Sequence, residues 1–270
     1  LELAEELTLA GLSVTLFEQM PRLLPFLDPA FSQKVLDTLV NHGVTVHLNK
    51  GIAEILTEQG QAKWIRTEAG DTVATNIVVV STGVKPATSL AKKAGLKLGI
   101  KDTIAVDSDM STSDPYIWAC GDCVQAKHLI TGKAAYVPLG TTANKQGRVA
   151  GANAAGGTDH FKGILGSMVT KVFDLYIAAT GLSLEQAKEA GFDAVSSVIT
   201  KMDRASYYPG GEDNHICLIL DRKTGHLLGA QGIGSESIAG RINVFAVAIT
   251  CNMTVEQINQ LDLVYAPPVA

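Results

Sequence analysis

Positive charge is in short supply in this sequence: 22 Lys and Arg stand against 27 Asp and Glu, a formal net charge of −5. That balance argues against a nucleic-acid binder, which carries a basic stripe or patch. Charge of either sign is sparse at 18%, while apolar residues reach 46%. A disordered chain has the opposite composition, so a sizeable core is expected. No apolar run approaches the roughly 20 residues that cross a bilayer. The longest candidate, residues 242–251, has the length of a buried helix, and no membrane association is expected. The acidic opening Leu1-Glu-Leu-Ala-Glu-Glu6 is unlike a signal peptide. Four cysteines are too few for a disulfide scaffold in 270 residues, so a reducing, cytoplasmic setting is the default. The six histidines lack metal-ligand spacing, and neither an internal repeat nor a low-complexity tract is present. There is no initiator Met, and a helical pattern is already under way at Leu1, as in a chain truncated at its N-terminus.

The residues that are present read as alternating helices and strands. Residues 1–10 form a helical pattern ended by Gly11, and Val14–Glu18 a buried strand closing on a carboxylate. Asp28 and Pro29 open a helix to about His42, with Val35, Leu36, Leu39 and Val40 on its apolar stripe; Val44–Leu48 is the next strand. This order predicts an α/β doubly wound, Rossmann-type unit without its first strand. β-type runs at 52–57, 63–68 and 72–80 suggest a meander, its last run ending in a buried strand, Val78–Gly83. A short helix at 89–94 and a strand-rich stretch lead through Tyr116–Cys120 to Gly121-Asp122. Pro138–Ala155 is a helix of small residues, and 154–157 a boundary. Beyond it the pattern is α+β: helix near 183–190, strands near 194–201, 215–220 and 226–233, a hairpin turn at 221–225, and helices at 236–251 and 254–261.

Several residues stand where chemistry is done. Glu18 closes the second strand of a dinucleotide-type unit, where a carboxylate accepts the ribose hydroxyls of adenosine and repels a 2′-phosphate. Alone, a Glu at a strand end is more commonly a solvated loop residue. Gly121-Asp122 offers a close backbone approach and a carboxylate for a ribose or ribityl hydroxyl, although Gly-Asp turns are common. Cys120-Gly-Asp-Cys123 has C-x-x-C spacing, but Asp122 would raise a thiol pKa, and Cys120 reads as a small apolar residue. Tyr207 and Tyr208, and Tyr265 before Ala-Pro-Pro268, sit in turn-like settings, where interface packing is their commoner role. Lys145-Gln-Gly-Arg148 is an uninformative polar stretch.

Taken together, these segments resemble the FAD- and NAD(P)H-dependent pyridine nucleotide-disulfide oxidoreductases. Leu1–Glu5 is similar to the start of the first helix of the NAD domain. Ser81–Pro86 is similar to the A-T-G-x-x-P segment that returns to the FAD domain. Thr112–Asp122 is similar to the second FAD motif, T-x-x-P-x-I-[YW]-A-x-G-D. Pro138-Leu139, Ala143–Arg148, Lys171–Asp174, Ala179–Gly181, Ala205–Gly210 and Tyr265–Pro268 resemble the branch of coenzyme A-disulfide reductases and NADH-dependent persulfide or polysulfide reductases.

The resemblance implies an NAD(P)-binding domain at 1–86, the C-terminal part of an FAD domain at 87–157 and an α+β dimerisation domain at 158–270. It places Glu2 near the nicotinamide–flavin junction and Glu18 on the adenosine ribose, favouring NADH. Gly83 lies against the nicotinamide nucleotide, Gly121 and Asp122 against the flavin ribityl chain. The helix starting near Ala143 points its N-terminus at the flavin, and Asn144 touches coenzyme A. Catalytic roles fall to Tyr207 and Tyr265, reaching across a homodimer toward the partner's reactive sulfur. The implied reaction is reduction of coenzyme A disulfide, a CoA persulfide or polysulfide by NAD(P)H through FAD. The family's Gly-rich loops and redox cysteine are absent, so this polypeptide alone is expected to be inactive. The alternatives are an NADH oxidase or peroxidase of the same family, and a non-catalytic dimerising fragment.

Overall fold

The computed structural model describes residues 1–269. The chain divides into two compact units, one built from Leu1–Ser81 and Met168–Ala270, the other from Thr82–Ser167.

The first unit opens with α1 (Glu2–Leu9), β1 (Thr15–Phe17), α2 (Pro29–Asn41) and β2 (Thr45–His47). β1 and β2 pair in parallel with Thr15 opposite Thr45, α2 forming the crossover expected of a doubly wound unit. The α2 start follows the sequence logic: Asp28 accepts the Ala30 amide at 2.9 Å and Pro29 takes the first helical position. Its buried face is Phe31, Val35 and Leu39, spaced four apart. Val40 was expected on that stripe but is 53% exposed. It lies about 100° around the helix from Leu39, beyond the width of the contact.

β3 (Ile52–Glu58), β4 (Gln61–Thr67) and β5 (Thr72–Ala74) form the antiparallel meander in that order. The buried strand expected at 78–83 does not form: among the described residues no strand pairs with 76–83, and Val79 and Val80 are 52% and 67% exposed. An apolar β-type run becomes a strand only where a neighbour takes its N–H and C=O groups.

The second unit contains α3 (Ser89–Lys93), β6 (Ala126–Lys127), β7 (Ala134–Ala135) and α4 (Gly140–Ala154). Ala91, Ile104 and Val124 make one core cluster; Met110, Val149 and Ala150, with Trp118, Cys120 and Phe161 against them, make another. Residues 116–120 were expected as a buried strand. They form no regular strand: an isolated Ser111–Trp118 bridge and hydrogen bonds to residues 110, 112 and 114 hold them, with Tyr116 87% exposed. α4 buries Gln146, Val149, Ala150 and Asn153, a helical stripe in which two of four residues are polar. Asn153 is satisfied by donating to the Asp109 and Asp159 carbonyls at 2.9 and 2.8 Å and accepting the Asp159 amide at 2.7 Å.

The chain then returns to the first unit through β8 (Met168–Val172), β9 (Leu175–Gly181), α5 (Leu184–Glu189), β10 (Ala194–Met202), β11 (Asp213–Asp221), β12 (Leu227–Gly234), α6 (Ile238–Thr250) and α7 (Val255–Asn259). The strands form one antiparallel sheet in the order β10-β11-β12-β9-β8. The hairpin β8–β9 was not anticipated from the sequence. α6 packs on β12 and β9 around Ala178, Ala230, Ile238 and Ile242. Gly232 makes this close approach possible, since a Cβ there would lie 2.5 Å from Ile238 Cγ1. α5 and α7 each begin with a capping box, at Ser183 with Gln186 and at Thr254 with Gln257.

Side-chain bridges tie the two stretches of this unit together. The Glu5 carboxylate accepts the Phe173 amide at 2.7 Å and the Lys171 ammonium at 2.9 Å. His42 stacks on Phe173 with ring centroids 3.9 Å apart. Gln231 accepts the Asp28 amide at 2.6 Å and donates to the Phe26 carbonyl at 2.9 Å.

Candidate functional site

In the second unit the residues that resemble the second FAD motif form a chain of side-chain-braced turns. Asp107 accepts the amides of Asp109 and Ser111 at 2.9 and 3.0 Å, and Thr112 accepts that of Asp114 at 3.1 Å. Asp114 in turn accepts the Tyr116 amide at 2.9 Å, and the Ala119 amide donates to the Met110 carbonyl at 3.0 Å. The run ends at Gly121, with φ +84°, a conformation costly for any residue with a Cβ. A Cβ there would be 3.8 Å from that of Ala143, so the backbone angle, not space, calls for glycine. The Gly121 amide donates to Gln146 Oε1 at 3.0 Å, and Gln146 is 1% exposed on α4. This glutamine, passed over in the sequence, fixes the turn to the helix.

Asp122 is exposed, and among the described residues its carboxylate has no hydrogen-bond partner. α4 begins at Gly140, two residues after the Pro138 start expected from composition and three before the start near Ala143 that the resemblance implies. The Thr142 and Ala143 amides both donate to the Leu139 carbonyl at 2.9 Å, so the N–H groups at this helix end without a partner among the described residues are those of Gly140 and Thr141. Ala143 is half-buried beneath them and Asn144 is exposed. Nearby in sequence, the enclosed Trp118 indole N–H has no acceptor among the described residues. A tight glycine turn, a free carboxylate and a helix end with unpaired amides can receive a polyhydroxylated, anionic ligand.

Cys120 and Cys123 are half-buried thiols, and Cys123 Sγ donates to the Cys120 carbonyl at 3.4 Å. Burial pushes the Cys123 thiol up, with Cys120 and Asp122 adding to it, which is the reverse of what an attacking thiolate needs.

In the first unit the strand stops one residue short of the expected end, and Glu18, half-buried, directly follows β1, its amide donating to the His47 carbonyl and one carboxylate oxygen accepting the Met20 amide, both at 2.9 Å. Glu2 is the exposed first residue of α1 and accepts the Thr170 hydroxyl at 2.9 Å. Gly83, in the second unit, has φ +93° in a segment without regular structure, with open space where a Cβ would stand.

The segments that carry the tyrosines meet through loops rather than through strands. Residues 203–212 connect β10 to β11, and the Ala205 amide of this loop donates to the Pro267 carbonyl at 3.0 Å. The segments carrying Tyr207 and Tyr265 are therefore hydrogen-bonded neighbours, with Tyr207 76% and Tyr265 65% exposed. At the root of the loop Asp203 accepts Arg204 Nε at 2.9 Å and Nη2 at 2.8 Å, a bidentate pair. Arg204 first, then the Glu212 amide, hold the Asp203 carboxyl at about 2 against the cost of its burial. Nothing in the sequence marked Asp203 or Glu5; each is an ordinary acid until its partners are known. Burial works against the Glu5 charge, but the Lys171 and Phe173 hydrogen bonds outweigh it and lower the pKa.

Comparison with known proteins gives this geometry its context. Residues 1–155 match the family described as pyridine nucleotide-disulphide oxidoreductase, and residues 168–270 match the dimerisation domain of that family. The whole chain is 37% identical to an NAD(P)H sulfur oxidoreductase (CoA-dependent) of Pyrococcus furiosus and 38% identical to an NADH oxidase of Methanocaldococcus jannaschii. It covers 60% of each of these relatives, so it spans about three fifths of their length. Among solved structures, a NAD-dependent persulfide reductase from A. fulgidus superposes with a TM-score of 0.96 at 40% identity, over all of this chain and 50% of that one. The chain thus belongs to the pyridine nucleotide-disulphide oxidoreductase family.

Proposed function

We propose that this chain serves in a homodimeric, FAD-dependent NAD(P)H oxidoreductase that reduces coenzyme A disulfide, a CoA persulfide or polysulfide. The observation that carries the reading is the hydrogen bond joining the two tyrosine segments beside the dimerisation-type sheet. It links the two segments that carry exposed phenols, and these segments resemble those of the thiol-handling branch.

The residues of the second unit fit a flavin nucleotide. Asp122 would accept from ribityl hydroxyls, Gly121 would let the backbone come close, and the Gly140 and Thr141 amides would offer donors to the flavin. When bound, FAD supplies the two-electron relay between nicotinamide and sulfur. Glu18, with one carboxylate oxygen held by Met20, accepts ribose hydroxyls and favours NADH over NADPH. By the resemblance, Glu2 serves the nicotinamide–flavin junction, Gly83 would let the backbone approach the nicotinamide nucleotide, and Asn144 would contact coenzyme A. Tyr207 and Tyr265 donate to the partner subunit's redox sulfur, a cysteine that none of Cys120, Cys123, Cys217 or Cys251 supplies. In this reading 1–86 bind NAD(P), 87–157 complete the FAD site and 158–270 form the dimer.

Similarity to an NADH oxidase favours a second reading, in which oxygen or peroxide takes the electrons. The test is NADH oxidation by the flavin-loaded dimer of the intact gene product, redox cysteine included, with coenzyme A disulfide, polysulfide, oxygen and peroxide in turn. Turnover with the sulfur acceptors is expected; turnover confined to oxygen or peroxide refutes the proposal.

A further inference from the structure

The loop 203–212 has few apolar anchors and yet is tightly bound at its base. The Asp203 amide donates to the Glu212 carbonyl at 2.9 Å, and Asp203 Oδ1 accepts the Glu212 amide at 3.0 Å, closing the two ends. Arg204 grips Asp203 with two nitrogens, and its Nη1 reaches the Pro209 carbonyl at 3.5 Å on the far limb. Beneath the loop the connections continue inward. The Ser235 hydroxyl reaches Asp203 Oδ2 at 3.4 Å, the Ser235 amide donates to Asn214 at 2.9 Å, and Asn214 donates to Ser237 at 2.7 Å. Asp203, Asn214 and Ser235 are 6%, 2% and 7% exposed.

A buried ionised carboxylate with this many partners is a costly way to stabilise a fold, since apolar side chains of similar volume do as well or better. What it achieves is geometric definition. Tyr207 lies between the two limbs, projects into solvent and has no side-chain hydrogen bond of its own among the described residues. Its place is set entirely by the backbone below it.

We infer that Asp203 and Arg204 are positioning residues that hold the 203–212 loop so that Tyr207 is presented, together with Tyr265, to the sulfur acceptor. This rests on the reading of Tyr207 as a catalytic donor. Neither Asp203 nor Arg204 touches substrate; both act through the loop. Arginine is required because a fork of two nitrogens fixes direction, which a lysine point charge does not.

The test uses the flavin-loaded dimer of the intact gene product, redox cysteine included, and its variants D203N, R204K and Y207F, each assayed with NADH and two acceptors. Ferricyanide draws electrons from the reduced flavin without the tyrosines; coenzyme A disulfide requires the complete sulfur site. A small misplacement of a catalytic group can cost a factor of about 100, so D203N and R204K are expected to lose about 10- to 100-fold in kcat/KM for coenzyme A disulfide. Ferricyanide reduction should stay within about twofold, since that path does not use the loop. Equal loss with both acceptors would mean a general structural role and overturn the inference. Undiminished coenzyme A disulfide turnover in D203N and R204K, with Y207F impaired, would overturn the inference alone. An unimpaired Y207F would overturn the tyrosine reading and the inference with it. Should D203N not fold, R204K, which keeps the charge and loses the fork, decides the matter by the same ratio.

Discussion

Neutralising Asp203 tests the energetics of the loop anchor directly. Its carboxyl ionises at about 2 in the folded chain against an ordinary 3.8. At about 1.4 kcal/mol per pH unit, that difference corresponds to roughly 2 kcal/mol in favour of the folded state. The Arg204 partner is 28% exposed, so solvent screening reduces the figure to about 1–2 kcal/mol. The sign follows from the depressed value: the stabilisation is complete above the unfolded pKa near 4 and is lost as pH falls through about 2. D203N, which cannot ionise, should be less stable than the parent by about 1–2 kcal/mol at neutral pH. The gap should hold constant from pH 7 to 5 and close between pH 4 and pH 2. Urea denaturation at 25 °C, followed by far-UV circular dichroism at a series of pH values, measures it. A gap that persists unchanged at pH 2, or one that widens on acidification, would refute the assignment of the stabilisation to this ion pair.

Three further outcomes follow from particular contacts. Gly232→Ala drives a methyl to 2.5 Å from Ile238 Cγ1, where α6 meets β12, and should cost about 1–3 kcal/mol in denaturant unfolding; an unchanged midpoint would show that the helix yields freely. Gln146→Leu removes the acceptor of the Gly121 amide, a loss of about 1–3 kcal/mol, and should release flavin on dialysis that the parent retains. Glu18→Ser leaves the Met20 amide without its acceptor and removes a negative charge from the proposed ribose site. The kcat/KM preference for NADH over NADPH should then fall on the order of tenfold, and an unaltered ratio would place the cofactor's ribose elsewhere.

Much of the fold was legible because its signals are local. Asp28-Pro29 announced α2 through a cap and a fixed φ, and Asp221–Gly225 announced a hairpin turn whose Gly225 amide returns to the Asp221 carbonyl at 2.8 Å. The first two strands of the meander and the later strands β10, β11 and β12 carried enough β-type residues between turn residues to be placed closely, whereas the run read at 72–80 is a strand only over Thr72–Ala74. The failures share one cause. Val78–Gly83 and Tyr116–Cys120 have the composition of buried strands, but a strand also needs a partner, and composition does not say whether one is present. The hairpin β8–β9 was missed for the converse reason: its short segments become strands through pairing with each other and with β12.

The site divides in the same way. Gly121-Asp122, Glu18 and the tyrosines were found because residue type and motif spacing survive in a one-dimensional text. Gln146, Asp203 and Glu5 were not, because their significance lies in what they meet: Glu5 reaches Phe173 across 168 residues of sequence, and Gln146 reaches Gly121 across 25. By itself the sequence determined the α/β order, the helix caps, the acidic surface balance and the family motifs, all of which depend on residue type and short-range spacing. Only the tertiary structure decided which apolar runs become strands, which polar side chains are buried with partners, and that Tyr207 and Tyr265 lie on neighbouring segments. Those outcomes depend on desolvation and on hydrogen-bond partners from distant parts of the chain, and neither exists until the chain has folded.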